Sequence, residues 1–170
     1  PVISAAVILK SGIKLNLLRD SKKISFKKRE EISDHIKNNS FFAIGIASVD
    51  EILKFNILGA SLLSMKRAIE NLEIKPNLTL IDGNFVPKGL KNCKTIINGE
   101  EKIKVISAAS IIAKVYRDRF MIKLSEKFSN YAWERNFGYG TKAHLEGLKK
   151  FGVTSHHRKG FKPIHKILSS

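Results

Sequence analysis

A chain of 170 residues, 43% of them hydrophobic, is long and apolar enough to build its own core, which excludes a disordered tail. Its 31 Lys and Arg residues against 15 Asp and Glu give a formal net charge of +16, which favours a polyanionic partner, nucleic acid first and a membrane surface second. Cys93 is the only cysteine, which excludes an intrachain disulfide framework and a cysteine-based zinc site. No apolar run approaches the roughly 18 residues of a membrane span, and no signal-peptide pattern is present, so we expect a cytoplasmic protein without a membrane segment.

The first half of the chain alternates strand-like and helix-like patterns. Ser25 is the expected N-cap of the first helix, and Ser48 with Glu51 forms a capping-box pattern before the second. The predicted elements are a strand over Pro1–Leu9, a turn at Ser11–Gly12, a polar loop over Asn16–Lys23, a helix over Phe26–Lys37, a strand over Phe41–Ala47, a short helix over Val49–Phe55, and a long amphipathic helix marked by Leu58, Leu62, Met65, Ile69 and Leu72.

The second half continues the alternation. The predicted elements are a strand over Leu78–Ile81, a loop at Pro87–Gly89, a strand over Lys94–Ile97, a long helix that includes Ser107–Ile122, a turn over Gly138–Thr141, and a helix over Lys142–Lys150 that stops at Gly152. No repeat, linker or low-complexity segment divides the chain, so residues 1–170 are expected to form a single domain. The order of elements predicts an α/β fold with helices on the faces of a sheet.

Asp82 is the first candidate for chemistry. The apolar run before it ends abruptly in Asp82-Gly83-Asn84, the pattern of a buried strand stopping at a turn. A carboxylate at the carboxyl end of such a strand lies where open α/β sheets bind ligands. The alternative is that Asp82 only caps its own turn, as Asp-Gly sequences often do.

Asp118 is the second candidate. It falls three residues after Val115 and four before Ile122, and therefore on the apolar stripe of the long helix. A buried charge is costly unless it is paired or bound to a metal. We favour a cation shared with Asp82; the alternative is a salt bridge to Arg117, Lys114 or another base.

Three further features suit a nucleic-acid backbone. Lys22 and Lys23 precede a helix start, where ammonium and backbone N–H groups can converge on phosphate, although a solvated charge run is the alternative. In His156–Lys159 the neighbouring histidines cannot converge on one metal, so we favour phosphate contact or surface display. Tyr139, between two glycines, can present its ring to a sugar or base, or be a buried turn residue.

Taken together, these motifs resemble the bacterial ribonuclease HII family, in order and along essentially the whole chain. The matching segments are Asn16–Lys23, Asn56–Leu58, Leu80–Asn84, Ile106–Val115 with Arg117-Asp118, Gly138–Thr141 and His157-Arg158. The resemblance implies a ribonuclease H-like mixed β-sheet flanked by helices. It also implies an endonuclease that hydrolyses the RNA strand of RNA–DNA hybrids and single ribonucleotides embedded in duplex DNA. We expect the protein to be a monomer.

The resemblance also implies roles for individual residues. Asp82 and Asp118 would be catalytic carboxylates that hold Mg²⁺ or Mn²⁺, with two ions in each complete site. Tyr139 would pack on the deoxyribose beside the ribonucleotide, and Lys22 and Lys23 would line the substrate path. Arg158 is expected to contact the substrate through phosphate.

The family pattern has one part that this sequence lacks. It begins with a strand that ends in Asp-Glu and a Gly-Arg-Gly loop, which supplies two more carboxylates and lies centrally in the family sheet. We therefore expect that the central strand is absent from the sheet of this chain and that residues 1–170 alone are inactive. The alternatives are a non-catalytic module that binds RNA–DNA hybrids and another ribonuclease H-like nuclease.

Overall fold

The computed structural model describes residues 1–13 and 25–169, so Lys22 and Lys23 lie outside the described part of the chain. Four strands and seven helices are described there, together with a single 3₁₀ turn over Ser129–Tyr131. They are β1 (Val2–Leu9), α1 (Phe26–Asn38), β2 (Ser40–Ala47), α2 (Val49–Glu70), β3 (Thr79–Asp82), β4 (Cys93–Ile96), α3 (Gly99–Lys102), α4 (Lys104–Lys127), α5 (Trp133–Asn136), α6 (Lys142–Phe151) and α7 (Lys162–Leu168).

The strands form two pairs. β1 and β2 are antiparallel, in a register that runs from Val2 opposite Ala47 to Leu9 opposite Ser40. β3 and β4 are parallel. Among the described residues, β1 pairs only with β2 and β3 only with β4, so each pair has an edge available for another strand. The mixture of antiparallel and parallel pairing confirms the predicted mixed α/β fold.

Helices cover both faces of the β1–β2 pair. Alternate residues of β1 point to opposite faces, as a strand requires. Ala5, Val7 and Leu9 pack against the cluster formed by α1 and α4, whereas Ala6 and Ile8 pack against α2. Because α4 lies against β1 in this arrangement, its inward face is buried. This packing holds Asp118 in the interior.

A second cluster surrounds the carboxyl-terminal half of α4. Its buried members come from α4 and from the segments that follow it: Met121, Leu124, Tyr131, Trp133, Leu148 and Ile164. The short helices α3, α5 and α7 were not predicted, because four to seven residues are too few to show a helical period. No described helix is long and apolar enough to cross a membrane.

The local capping signals are confirmed. The Ser25 hydroxyl accepts the Lys28 N–H, and Ser48 and Glu51 exchange both bonds of a capping box. The two helices predicted around Asn56 are continuous in α2 except at that residue, which has φ 57° and ψ 180°. The Asn56 side-chain oxygen accepts the N–H groups of Leu58 and Gly59 at 2.9 and 3.1 Å. Asn56 therefore caps the second part of α2 from a conformation that is almost confined to glycine.

The first prediction concerns this cap. Asn56→Ala should lower the free energy of unfolding by about 1–2 kcal/mol, because it removes the acceptor and leaves the strained backbone in place. Asn56→Gly should cost only a few tenths of a kcal/mol, because glycine tolerates the backbone conformation. Urea denaturation of the two variants measures the difference. Equal losses of stability in both would show that the backbone at residue 56 carries no strain.

Candidate active site

Asp82 ends β3, at the carboxyl end of a parallel strand pair, as predicted. Its side chain is exposed, and Oδ1 accepts the backbone N–H of Gly99 at 2.7 Å. Gly83, the next residue, has φ 111°, a conformation that L side chains rarely adopt, and its N–H donates to the carbonyl of Ile96. The Asp82 carboxylate thus ties β3 to the beginning of α3, a contact 17 residues away that the Asp-Gly pattern did not indicate.

Asp118 is buried on α4, with a relative exposure of 1%, which confirms its predicted place on the inward face. Its Oδ2 lies 3.4 Å from Nη1 of Arg29 on α1 and 4.0 Å from Nζ of Lys114. Burial raises the pKa of Asp118, although the nearby Lys114, Arg29 and Arg117 charges act to lower it. The desolvation of this carboxylate is therefore not fully offset by its cationic neighbours.

The structure tests one of the two expectations for Asp118, the salt bridge, and the shared cation stays a prediction. The alternative of a salt bridge is observed, with Lys114 as one of the named partners and Arg29 as the base that the sequence did not identify. At 3.4 and 4.0 Å these contacts are longer than strong charge-assisted hydrogen bonds. A carboxylate that remains under-compensated in this way is suited to an additional cation.

Tyr139 lies at a turn between α5 and α6. Its ring has a relative exposure of 60%, so the alternative of a buried turn tyrosine is wrong. The guanidinium of Arg117 lies over the ring, 5.5 Å from its centroid, and donates to the Phe137 carbonyl at 2.7 Å. Because Arg117 directly precedes Asp118 on α4, one helix holds both the guanidinium over the ring and the buried acid.

A groove of about 850 Å³ brings the candidate residues together. β1, β3, α2 and α4 form its walls, and its lining includes Asp82, Asp118, Arg117 and Tyr139. Two acids, an aromatic ring and a guanidinium thus border one continuous space. A divalent cation prefers hard oxygen ligands, and the two carboxylates fit that preference. In residues 1–13 and 25–169, however, no three His, Cys, Asp or Glu side chains are grouped to hold a metal ion.

Arg158 lies beside this groove, in a neighbouring cavity of about 340 Å³ that Arg117 and Tyr139 also line. Its Nη2 donates to the backbone carbonyl of Pro1 at 3.2 Å. Burial lowers the pKa of Arg158, and the Arg117 charge lowers it further. Two guanidinium groups of like charge therefore flank Tyr139, an arrangement that an anion would stabilise.

The sequence predicted that the histidines of His156–Lys159 lie on the surface or contact phosphate. His157 is buried, with a relative exposure of 5%, so the expectation of phosphate contact or surface display is wrong for this residue. Its ring bonds to Thr154 and to His144, whereas the His156 ring contacts Phe128. The neighbouring histidines therefore face different surroundings. The sequence did not single out His144, because one histidine on an amphipathic helix has no distinctive pattern.

The chain as a whole is similar to the members of one protein family. The family model for ribonuclease HII matches residues 1–166. Ribonuclease HII of Pelagibacter ubique is 58% identical over 170 residues, which covers 99% of this chain and 91% of that protein. Ribonuclease HII of Macrococcus caseolyticus is 48% identical over 170 residues, covering the whole of this chain and 64% of that protein.

Solved structures show the same fold. The ribonuclease H2 of Pyrococcus horikoshii aligns with a TM-score of 0.73 at 23% identity, over 99% of this chain and 92% of that one. Bst-RNase HIII, solved in complex with Mn²⁺, aligns with a TM-score of 0.62 at 15% identity, over 89% of this chain and 57% of that one.

The second prediction concerns cation binding at Asp118. Mn²⁺ at about ten times its dissociation constant should stabilise the folded chain by about 1.4 kcal/mol, which raises Tm by about 3–6 °C. Asp118→Asn and Asp82→Asn should each abolish the increase, because each removes a carboxylate that we expect to bind the ion. Glu146→Gln is the control, since this exposed glutamate on α6 pairs only loosely with Lys142, at 3.9 Å. An unchanged increase in Asp118→Asn would place the cation elsewhere.

Proposed function

Because the chain belongs to the ribonuclease HII family, an endonuclease family of the ribonuclease H type, we propose that its groove is the active site for cutting RNA in RNA–DNA hybrids and at single ribonucleotides in duplex DNA. The observation that carries this proposal is the convergence of Asp82, Asp118 and Tyr139 on one groove. The proposed setting is the cytoplasm, where the protein acts as a monomer.

The proposed chemistry is phosphodiester hydrolysis with two divalent ions, Mg²⁺ or Mn²⁺. When bound about 4 Å apart, such ions activate a water molecule and stabilise the leaving 3′-oxygen. Asp82 and Asp118 would hold them through carboxylate oxygens. Asp82 is oriented by the Gly99 N–H, and Asp118 is oriented by the packing of α4 against β1.

Two carboxylates are too few to hold two ions well, since each Mg²⁺ is usually held by one or two carboxylates in addition to water and substrate phosphate. We propose that a further strand with additional carboxylates fits into the groove between β1 and β3. The available strand edges on both sides and the largely aliphatic lining support this placement. Such a strand would pair with both edges and join the two strand pairs into one sheet. Without it, residues 1–170 are expected not to cleave.

The remaining groups of the groove suit recognition of the substrate. The exposed Tyr139 ring can pack on a sugar, and the Arg117 guanidinium over it limits its motion. Arg158 would contact a phosphate from the neighbouring cavity. The net charge of +16 favours a polyanionic substrate, and Lys22 and Lys23 would add phosphate contacts.

A second function, binding RNA–DNA hybrids without cutting them, is favoured by one observation. The described residues lack a group of three or more metal ligands. Hybrid binding without cleavage by a protein that carries the additional strand would support this alternative.

The third prediction separates the two functions. In the chain with the additional strand, Asp82→Asn should abolish Mg²⁺-dependent cleavage of a duplex with one embedded ribonucleotide, because it removes a metal ligand. Affinity for the duplex should stay within about twofold of wild type, because no phosphate contact is removed. Asp50→Asn, at an exposed position at the start of α2, is the matched control and should cleave normally. Cleavage by Asp82→Asn at the control rate would remove Asp82 from the site.

The fourth prediction concerns the phosphate contacts. Affinity for the same duplex should fall steeply with salt concentration, because each phosphate contact releases a counterion. Lys22→Ala and Lys23→Ala should each flatten the slope of log K against log salt by about one. Lys37→Ala is the control, because Lys37 pairs with Asp34 near the far end of α1. Slopes that match the control in both variants would contradict the assignment.

A further inference from the structure

Two buried histidines form a polar connection inside the second apolar cluster. His144 on α6 and His157 have relative exposures of 6% and 5%, and their Nε2 atoms are 3.2 Å apart. Trp133, which is almost fully buried, donates from its indole Nε1 to Nε2 of His144 at 3.2 Å. Burying two imidazoles is costly unless their nitrogens are bonded, and all four ring nitrogens have partners here.

The partners determine which nitrogen of each ring carries the proton. The backbone N–H of Thr154 donates to Nδ1 of His157 at 3.0 Å, so the proton of His157 is on Nε2. The indole N–H of Trp133 can only donate, so Nε2 of His144 accepts and the proton of His144 is on Nδ1. The His157 Nε2–H is directed at the same nitrogen, so the single lone pair of His144 Nε2 is shared by two N–H donors, each at 3.2 Å. Both rings are neutral in this arrangement, and burial lowers the pKa of His157 to about 4, which keeps it neutral at pH 7.

The connection ends on Tyr139. The Nδ1–H of His144 donates to the Tyr139 backbone carbonyl at 2.9 Å, and the same carbonyl accepts the Thr141 N–H at 2.8 Å. The Tyr139 ring itself is exposed, so packing in the core does not hold it. A chain of hydrogen bonds that begins in the core therefore fixes the backbone of an exposed residue of the groove.

We propose that His144 is a positioning residue that holds Tyr139 in place to receive a nucleic-acid sugar, with His157 and Trp133 fixing the tautomer of His144. This inference rests on the proposed function, because it assumes that the Tyr139 ring contacts substrate. The inference adds how the Tyr139 ring is held in place. This hold does not depend on the carboxylates of Asp82 and Asp118. A purely structural role would instead require only that His144 fill space between Tyr131 and Trp133.

The hydrogen bonds that connect Trp133, His157 and His144 to Tyr139 are tested without substrate. Long-range proton–nitrogen NMR of the wild-type protein should show His144 protonated on Nδ1 and His157 protonated on Nε2 at neutral pH. The opposite tautomer at either ring, or a charged ring, would overturn the proposal whatever the protein binds or cuts.

The positioning role is tested by affinity for an embedded-ribonucleotide duplex, measured in the protein as its gene encodes it and with Ca²⁺ as the divalent cation. His144→Ala should weaken binding about tenfold, the effect of losing one hydrogen bond that orders the contact. His144→Asn should recover affinity to within about threefold of wild type, because the asparagine Nδ2 occupies the position of Nδ1 and keeps the donor. Thermal denaturation identifies any variant that fails to fold, and the asparagine variant then carries the comparison.

A double variant separates positioning from general stability. In a Tyr139→Ala background, His144→Asn and wild-type His144 should bind equally, and His144→Ala should lose no more than about a further twofold, because the residue through which His144 acts is gone. If the two substitutions weaken affinity by factors that multiply, the positioning role of His144 is overturned, but the proposed contact of Tyr139 with the sugar is not. No loss in Tyr139→Ala itself would overturn both this inference and the proposed contact of Tyr139 with the sugar, while leaving the metal ligands untouched.

Discussion

The buried carboxylate of Asp118 is the constraint on which the site depends. Helix α4 must pack against β1 to bury its apolar residues, and that packing takes Asp118 out of water with them. Arg29 and Lys114 approach one oxygen of the carboxylate but do not fully offset its desolvation, so its pKa remains raised. The fold thus leaves a desolvated carboxylate whose ionised form a bound cation would stabilise, at the edge of the groove that Asp82 also lines.

The groove lies between the two strand pairs, and this position determines which residues line it. β1 and β3 present their edges to the same space, and both acids lie at its border. A strand that fills this space would satisfy backbone groups on both sides and bring its own side chains next to Asp82 and Asp118. The same strand would therefore complete both the sheet and the proposed metal site.

Local features of the fold were predictable because nearby residues determine them. The Ser25 cap, the Ser48–Glu51 capping box and the break at Asn56 each depend on side chains within a few positions. The inward position of Asp118 followed from the helical period alone. The family resemblance supplied the expected roles of Tyr139 and Asp82, and the structure places both at the groove.

Contacts between distant segments were not predictable. Arg29 pairs with Asp118 from 89 residues away, and Gly99 binds Asp82 from 17 residues away. His157 looked like part of a charged surface run, yet its neighbours in space are Trp133 and His144, which only the folded chain brings together. Such pairings are set by tertiary packing, and a single sequence carries no periodic signal for them.

The proposed site depends on a cation that Asp82 and Asp118 share in the groove between β1 and β3. The most direct measurement is an anomalous-scattering map of crystals soaked in Mn²⁺. We expect a manganese peak within about 2.0–2.5 Å of a carboxylate oxygen of each residue, with Arg29 displaced from Asp118. Manganese bound elsewhere, with the Arg29–Asp118 pair intact, would contradict it.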